Sequence, residues 1–80
     1  MNIETRLGDY VSQELLDGRY AVAADESLLA DGLVDSLGMM RLVGFISDSF
    51  DLEVPPEDIV IEHFSTIERM ARYLRGRGVG

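Results

Sequence analysis

Eighty residues leave room for one domain and one small core, and 46% hydrophobic residues are too many for a disordered chain. Seven basic against fifteen acidic side chains give a net charge of −8, which excludes the basic face that nucleic-acid binding needs and favours contact with basic protein surfaces. No cysteine is present, so disulfides and thiolate chemistry are excluded, and no apolar run approaches a membrane span.

The segment Met1 to Leu7 has no long apolar run and does not read as a signal peptide. These features predict a soluble, cytoplasmic monomer. Ile3, Leu7, Tyr10, Val11 and Leu15 recur at helical spacing and predict a first helix from about Asn2 to Asp17. Asp17-Gly18 is its stop signal. Gly18 to Val34 shows no period. It reads as a long loop pinned to the core by Leu28, Leu29, Leu33 and Val34, and loops of that length usually serve a function.

Met39, Leu42, Val43, Ile46 and Phe50 follow an i, i+3, i+4, i+7, i+11 pattern, with Phe45 at the stripe's edge. This is the strongest periodic signal and predicts a second helix from Ser36 to Phe50. Pro55-Pro56 then breaks the chain, and Pro56 suits the first position of a short helix running through Glu57, Asp58, Ile59, Val60 and Ile61. Ser65 and Glu68 fit a capping box for the last helix. Ile67, Met70, Ala71 and Leu74 form its apolar face, and Arg69, Arg72 and Arg75 suit its C-terminal dipole. The tail 76–80 is expected to fray. The fold expected is all-α: a single domain over 1–80, built as a small antiparallel four-helix bundle. It has three main helices, one short helix and a long first loop.

The chemistry centres on Asp35-Ser36-Leu37, at the mouth of the second helix. A helix N-terminus offers unpaired N–H groups and partial positive charge, a favourable field for a phosphate attached to Ser36. The plainer reading is an N-cap supplied by Asp35 or Ser36. Leu37, Arg41, Gly44 and Asp48 lie on the face away from the apolar stripe, with Met40 on its flank. Exposed apolar groups there suggest a docking surface. The alternatives are that Leu37 folds under the long loop and that Arg41 pairs locally with Asp48 or another neighbour. Gly44 costs roughly 1 kcal/mol in mid-helix against alanine, and suits close approach of a partner or of a neighbouring helix.

Other constellations are weaker. His63 is the only histidine, and a hydrolase built on it and Ser36 lacks the Gly-x-Ser-x-Gly elbow, so it reads as a helix-end residue beside Phe64. The acids from Asp25 to Asp35 lack calcium-loop spacing and its closing glutamate, and no metal site is expected. Met39, Met40 and Met70 read mostly as core filler.

The chain resembles the acyl carrier proteins and their peptidyl-carrier relatives from about Leu28 to Leu74. The likeness runs through Leu29-Ala30-Asp31-Gly32-Leu33-Val34, Asp35-Ser36-Leu37, Leu42-Val43, Ile46, Phe50, Val54, Glu57-Asp58-Ile59, Phe64, Thr66-Ile67 and Tyr73-Leu74. The resemblance implies that Ser36 receives 4′-phosphopantetheine from coenzyme A as a phosphodiester, through a magnesium-using phosphopantetheinyl transferase. It implies that Asp35 and Leu37 help the transferase recognise the site, and that the second helix docks on partners, for which the face read above offers Leu37, Met40, Arg41, Gly44 and Asp48. The arm's thiol would carry acyl or aminoacyl thioesters among acyltransferase, adenylating or ligase, and ketosynthase-type enzymes of polyketide, nonribosomal peptide or fatty acid type biosynthesis, with no catalysis by the carrier itself. Carriers of bacterial fatty acid synthesis usually present several acids on the second helix. Here Arg41, Gly44, Ser47 and Ser49 stand there, with Asp48 and Asp51 as its acids. That departure suggests a discrete carrier dedicated to polyketide, nonribosomal peptide or similar biosynthesis. The competing reading is a small acidic helical interaction domain without a covalent cofactor, and acceptance of the arm by Ser36 separates the two.

Overall fold

The computed structural model describes residues 2–29 and 32–79, so Met1, Ala30 and Asp31 of the approach to Ser36, and Gly80 of the tail lie outside them. All regular structure among the described residues is helical. Asn2 caps α1 (Ile3–Tyr10) by accepting from the Thr5 N–H at 2.7 Å. The helix then widens into a π-type turn over Val11–Leu15, where the Leu16 N–H reaches back to the Val11 carbonyl at 3.0 Å. Asp17 and Gly18 both take left-handed backbone angles, φ 56° and 72°, which stop the helix where the Asp-Gly pair predicts.

The long loop is held by backbone hydrogen bonds as well as by side chains. Leu28 N–H donates to the Ser65 carbonyl at 2.8 Å, and Val34 N–H to the Leu28 carbonyl at 2.8 Å. The Ala24 carbonyl accepts from Glu68 N–H at 2.9 Å. Leu28 and Val34 are buried and Leu33 packs against the core, whereas Leu29 faces solvent and does not anchor the loop.

Helix α2 spans Ser36–Phe50, as the periodicity predicts. It buries Leu42 and Ile46, with Met39, Val43 and Phe50 partly covered. Its link to α1 is aromatic: Tyr10 stacks on Phe45 at 4.1 Å, and the Arg6 guanidinium sits 4.5 Å over the Phe50 ring. Asp51, in the left-handed region, ends the helix.

The short helix is two pieces. Pro56–Asp58 forms one 3₁₀ turn, and α3 begins only at Ile61 and ends at Phe64 (Ile61–Phe64). Ile59 leaves helical geometry at φ −84°, ψ 78°, and Val60 is extended, so the β-branched pair separates the pieces. Helix α4 spans Ile67–Gly76 and buries Ile67, Met70, Ala71 and Leu74. Its cap is Thr66, not Ser65: Thr66 Oγ1 accepts from the Arg69 N–H at 3.0 Å. Ser65 closes α3 in helical geometry (φ −75°, ψ −25°), whereas Thr66 has the extended backbone a cap requires (φ −139°, ψ 159°). Thr66→Ala should therefore lower stability by about 1 kcal/mol in chemical denaturation, while Ser65→Ala leaves the midpoint nearly unmoved. Equal losses from both would contradict this assignment.

The segment expected to fray is tied down through Val79. Gly78 is left-handed (φ 94°), its N–H donates to the Arg75 carbonyl at 3.1 Å, and Val79 N–H donates to the Leu74 carbonyl at 3.0 Å. This is a Schellman closure, with Val79 packed against the core beside Leu74. Arg75 also joins α4 to α1 through Glu4 at 2.6 Å, and that hydrogen bond holds the Glu4 carboxyl below its usual range.

Candidate functional site

Asp35 has extended backbone, and its side chain accepts from the Gly38 N–H at 2.8 Å. Asp35 is therefore the N-cap of α2, and Ser36 is the first helical residue. Of the two capping alternatives, the aspartate takes the role. Ser36 is exposed and takes no part in the cap, so its hydroxyl is available at the surface. The Met39 N–H pairs with the Asp35 carbonyl at 2.9 Å, and the Gly38 N–H is used by the cap. Among the described residues the Ser36 and Leu37 N–H groups have no partner and stand as donors beside the hydroxyl, where the helix dipole favours an anion. A phosphate ester on Ser36 fits that field and meets no steric barrier from the cap.

Gly38 contributes what the sequence pattern did not single out. A Cβ at Gly38 would lie 3.1 Å from Val34 Cγ1 and 3.4 Å from Asp35 Oδ1. Val34 is buried and tied to Leu28, so the absence of a side chain at Gly38 lets the loop close tightly against the first turn of α2.

Leu37 and Met40 stand 71% and 64% exposed, so Leu37 does not fold under the loop and Met40 is not core filler. Arg41, Gly44 and Asp48 are exposed on the same helix. Among the described residues the ion pairs are Arg72–Glu68, Arg75–Glu4 and Arg77–Asp58, and Arg41 does not pair with Asp48. A Cβ at Gly44 would meet nothing within 4 Å, so no neighbouring helix approaches there. Arg41 lines a groove of about 260 Å³ together with Leu15, Leu33, Val34, Leu37 and Gly38, beside the serine. Ile61 (71% exposed) and Val60 (42%) add exposed apolar surface that the sequence reading placed only within a helix. His63 lies in α3, tilted against Tyr73 with ring centroids 4.9 Å apart. Among the described residues no acidic or histidine cluster could hold a metal ion. Among the described residues no helix is long and apolar enough to cross a membrane.

The described residues thus form a small helical fold with an exposed serine at the mouth of α2, beside the aspartate that caps it. Residues 9–74 match the family described as phosphopantetheine attachment site. The chain is also 33% identical over 78 residues to an acyl carrier protein of Bdellovibrio bacteriovorus, covering 98% of this chain and 97% of that one. The chain belongs to the acyl carrier protein family, and it is a carrier that bears a covalent 4′-phosphopantetheine group.

Proposed function

We propose that Ser36 is the residue that holds the arm, and that the chain is a non-catalytic, monomeric, cytoplasmic carrier of acyl or aminoacyl thioesters. The observation that carries this reading is the exposed Ser36 hydroxyl at the first position of α2, with Asp35 rather than Ser36 serving the cap. When bound, the arm supplies the thiol that this cysteine-free chain lacks. The chain's own residues hold the serine outward, offer two N–H groups to the phosphate, and leave the face of α2 open. Tethering gives the cargo a high effective concentration at each enzyme that the carrier visits. Incubation with coenzyme A, magnesium and a broad-specificity phosphopantetheinyl transferase should add one phosphopantetheinyl group in intact mass.

The docking face in this proposal is Leu37, Met40, Arg41, Gly44 and Asp48, with Asp35 and Leu37 read by the transferase. The partners are an acyltransferase, an adenylating or ligase enzyme, or a ketosynthase-type enzyme of a specialised pathway, of polyketide or nonribosomal peptide type. The support is the composition of that face, where a cation and two bare apolar groups stand beside the serine. Arg41→Glu should slow transfer to the dedicated partner by about tenfold at low salt, because rim charges act mainly on association. Unchanged transfer rates would remove Arg41 from the contact. Equal use of the chain by a housekeeping fatty acid ketosynthase would remove the dedicated pathway.

A further inference from the structure

Charge is unevenly placed along the chain. Residues 65–80 hold four arginines and one acid, whereas the preceding sixty-four hold three arginines against fourteen acids. Arg69, Arg72, Tyr73, Gly76 and Arg77 follow one another at i, i+3, i+4, i+7 and i+8, so they share one stripe of α4 and its cap. With Glu62 and His63 of α3 they line a groove of about 520 Å³ to which α2 contributes no residue.

The groove is built from fixed parts. The Tyr73 hydroxyl donates to Asp58 at 2.6 Å, and Arg77 reaches the same carboxylate at 3.2 Å. Burial, with the hydrogen bond to Asp58, holds the Tyr73 hydroxyl above its usual range. The His63 and Tyr73 rings form an aromatic floor. Arg69 donates to the Glu62 carbonyl at 3.3 Å and makes no ion pair among the described residues. Arg72 meets Glu68 only at 3.8 Å, with both side chains mostly exposed, a contact of little strength. Two guanidiniums therefore keep donors for an incoming carboxylate, in the fork geometry that suits it.

Gly76 lies on this stripe. Its φ is not left-handed, and a Cβ there would meet nothing within 4 Å. Alanine would favour the helix, so neither backbone nor packing within this chain calls for glycine. Its effect is to leave the middle of the groove wall bare. The eight rises from Arg69 to Arg77 cover about 12 Å of helix, the length of roughly four residues of extended chain.

We infer that this groove docks a short acidic segment of a partner protein, distinct from whatever meets α2. Carboxylates of the segment sit on Arg69 and Arg72, and one apolar or aromatic side chain lies over His63 and Tyr73 against Gly76. The proposal is independent of the attachment of the arm at Ser36.

The test is an amide and arginine side-chain NMR titration of the whole chain. The probe is a five-residue peptide with a central phenylalanine, flanked on each side by an aspartate and a glutamate. The control replaces those acids with asparagine and glutamine. Saturable shifts confined to residues 62–77, with a dissociation constant near or below about 1 mM in low salt, are expected. Arg69→Glu with Arg72→Glu, and separately Gly76→Leu, should each weaken binding by about tenfold or more with the helical circular dichroism intact. The proposal is overturned by no shifts at about 5 mM peptide, by equal binding of the neutral peptide, or by shifts centred elsewhere. Sedimentation showing self-association that the same variants abolish would also overturn it, since the groove would then belong to a second copy.

Discussion

Ser36→Ala should abolish the gain of the phosphopantetheinyl group while leaving the melting temperature within about 3 °C of the parent, since exposed substitutions usually shift stability by less than about 0.5 kcal/mol. The second half of that expectation follows from the cap. Asp35 satisfies the Gly38 N–H, so removing the Ser36 hydroxyl breaks no hydrogen bond of the helix mouth. Alanine is also the better helix former at an interior or first-turn position. The variant thus separates the two readings open from sequence. A carrier loses all transfer function and stays folded, whereas an interaction domain without an arm barely notices. Intact mass and a thermal melt on the same sample read both outcomes.

Leu42→Ala should have the opposite profile. Leu42 is fully buried in α2, six residues beyond the serine, within a core that also contains Leu7, Ile46, Ile67 and Leu74. Leucine-to-alanine changes in such sites cost about 2–5 kcal/mol from lost burial and the cavity left behind. A chain of this size has total stability of roughly 4–12 kcal/mol. The melting temperature should fall by roughly 15 °C, and a large share of the chain should unfold at physiological temperature. Leu37→Ala, five residues earlier on the same helix, removes a side chain that is 71% exposed and should change stability by less than about 0.5 kcal/mol. Similar melts for the two variants would contradict the division of α2 into a buried and an open face.

Helix α2 was legible at both ends because several local signals agree there. Asp35 supplies a cap, the apolar stripe keeps one period, and the chain turns out of the helix at Asp51 before Pro55-Pro56. The start of α4 was misread by one residue because two hydroxyl side chains compete. Ser65 with Glu68 makes the better sequence pattern, but Ser65 is already committed to the end of α3. The break at Ile59 and Val60 was not legible, since a β-branched run after proline is compatible with a short helix, and only tertiary packing sets the extended backbone there. The closure of α4 at Gly78 was hidden by composition: a glycine-rich tail reads as loose, although a glycine just past a helix is also the residue a Schellman turn needs.

At the site, the helix mouth at Asp35-Ser36 was legible, whereas the choice of Asp35 over Ser36 as cap and the exposure of Leu37 and Met40 depend on the fold. The steric demand at Gly38 was not legible, because it depends on where the loop places Val34. The exposure of Ile61 was likewise invisible, since sequence does not say which side of a four-residue helix meets the core. The arginine stripe was visible as helix-end charge, but the groove it shares with α3 depends on the fold.

The most direct test of the central claim is fragmentation mass spectrometry of the intact chain after treatment with coenzyme A, magnesium and a phosphopantetheinyl transferase. One added group is expected, placed on Ser36 and on none of Ser12, Ser27, Ser47, Ser49 or Ser65. An added group on any other serine, or none at all on a folded chain with an active transferase, would contradict the claim.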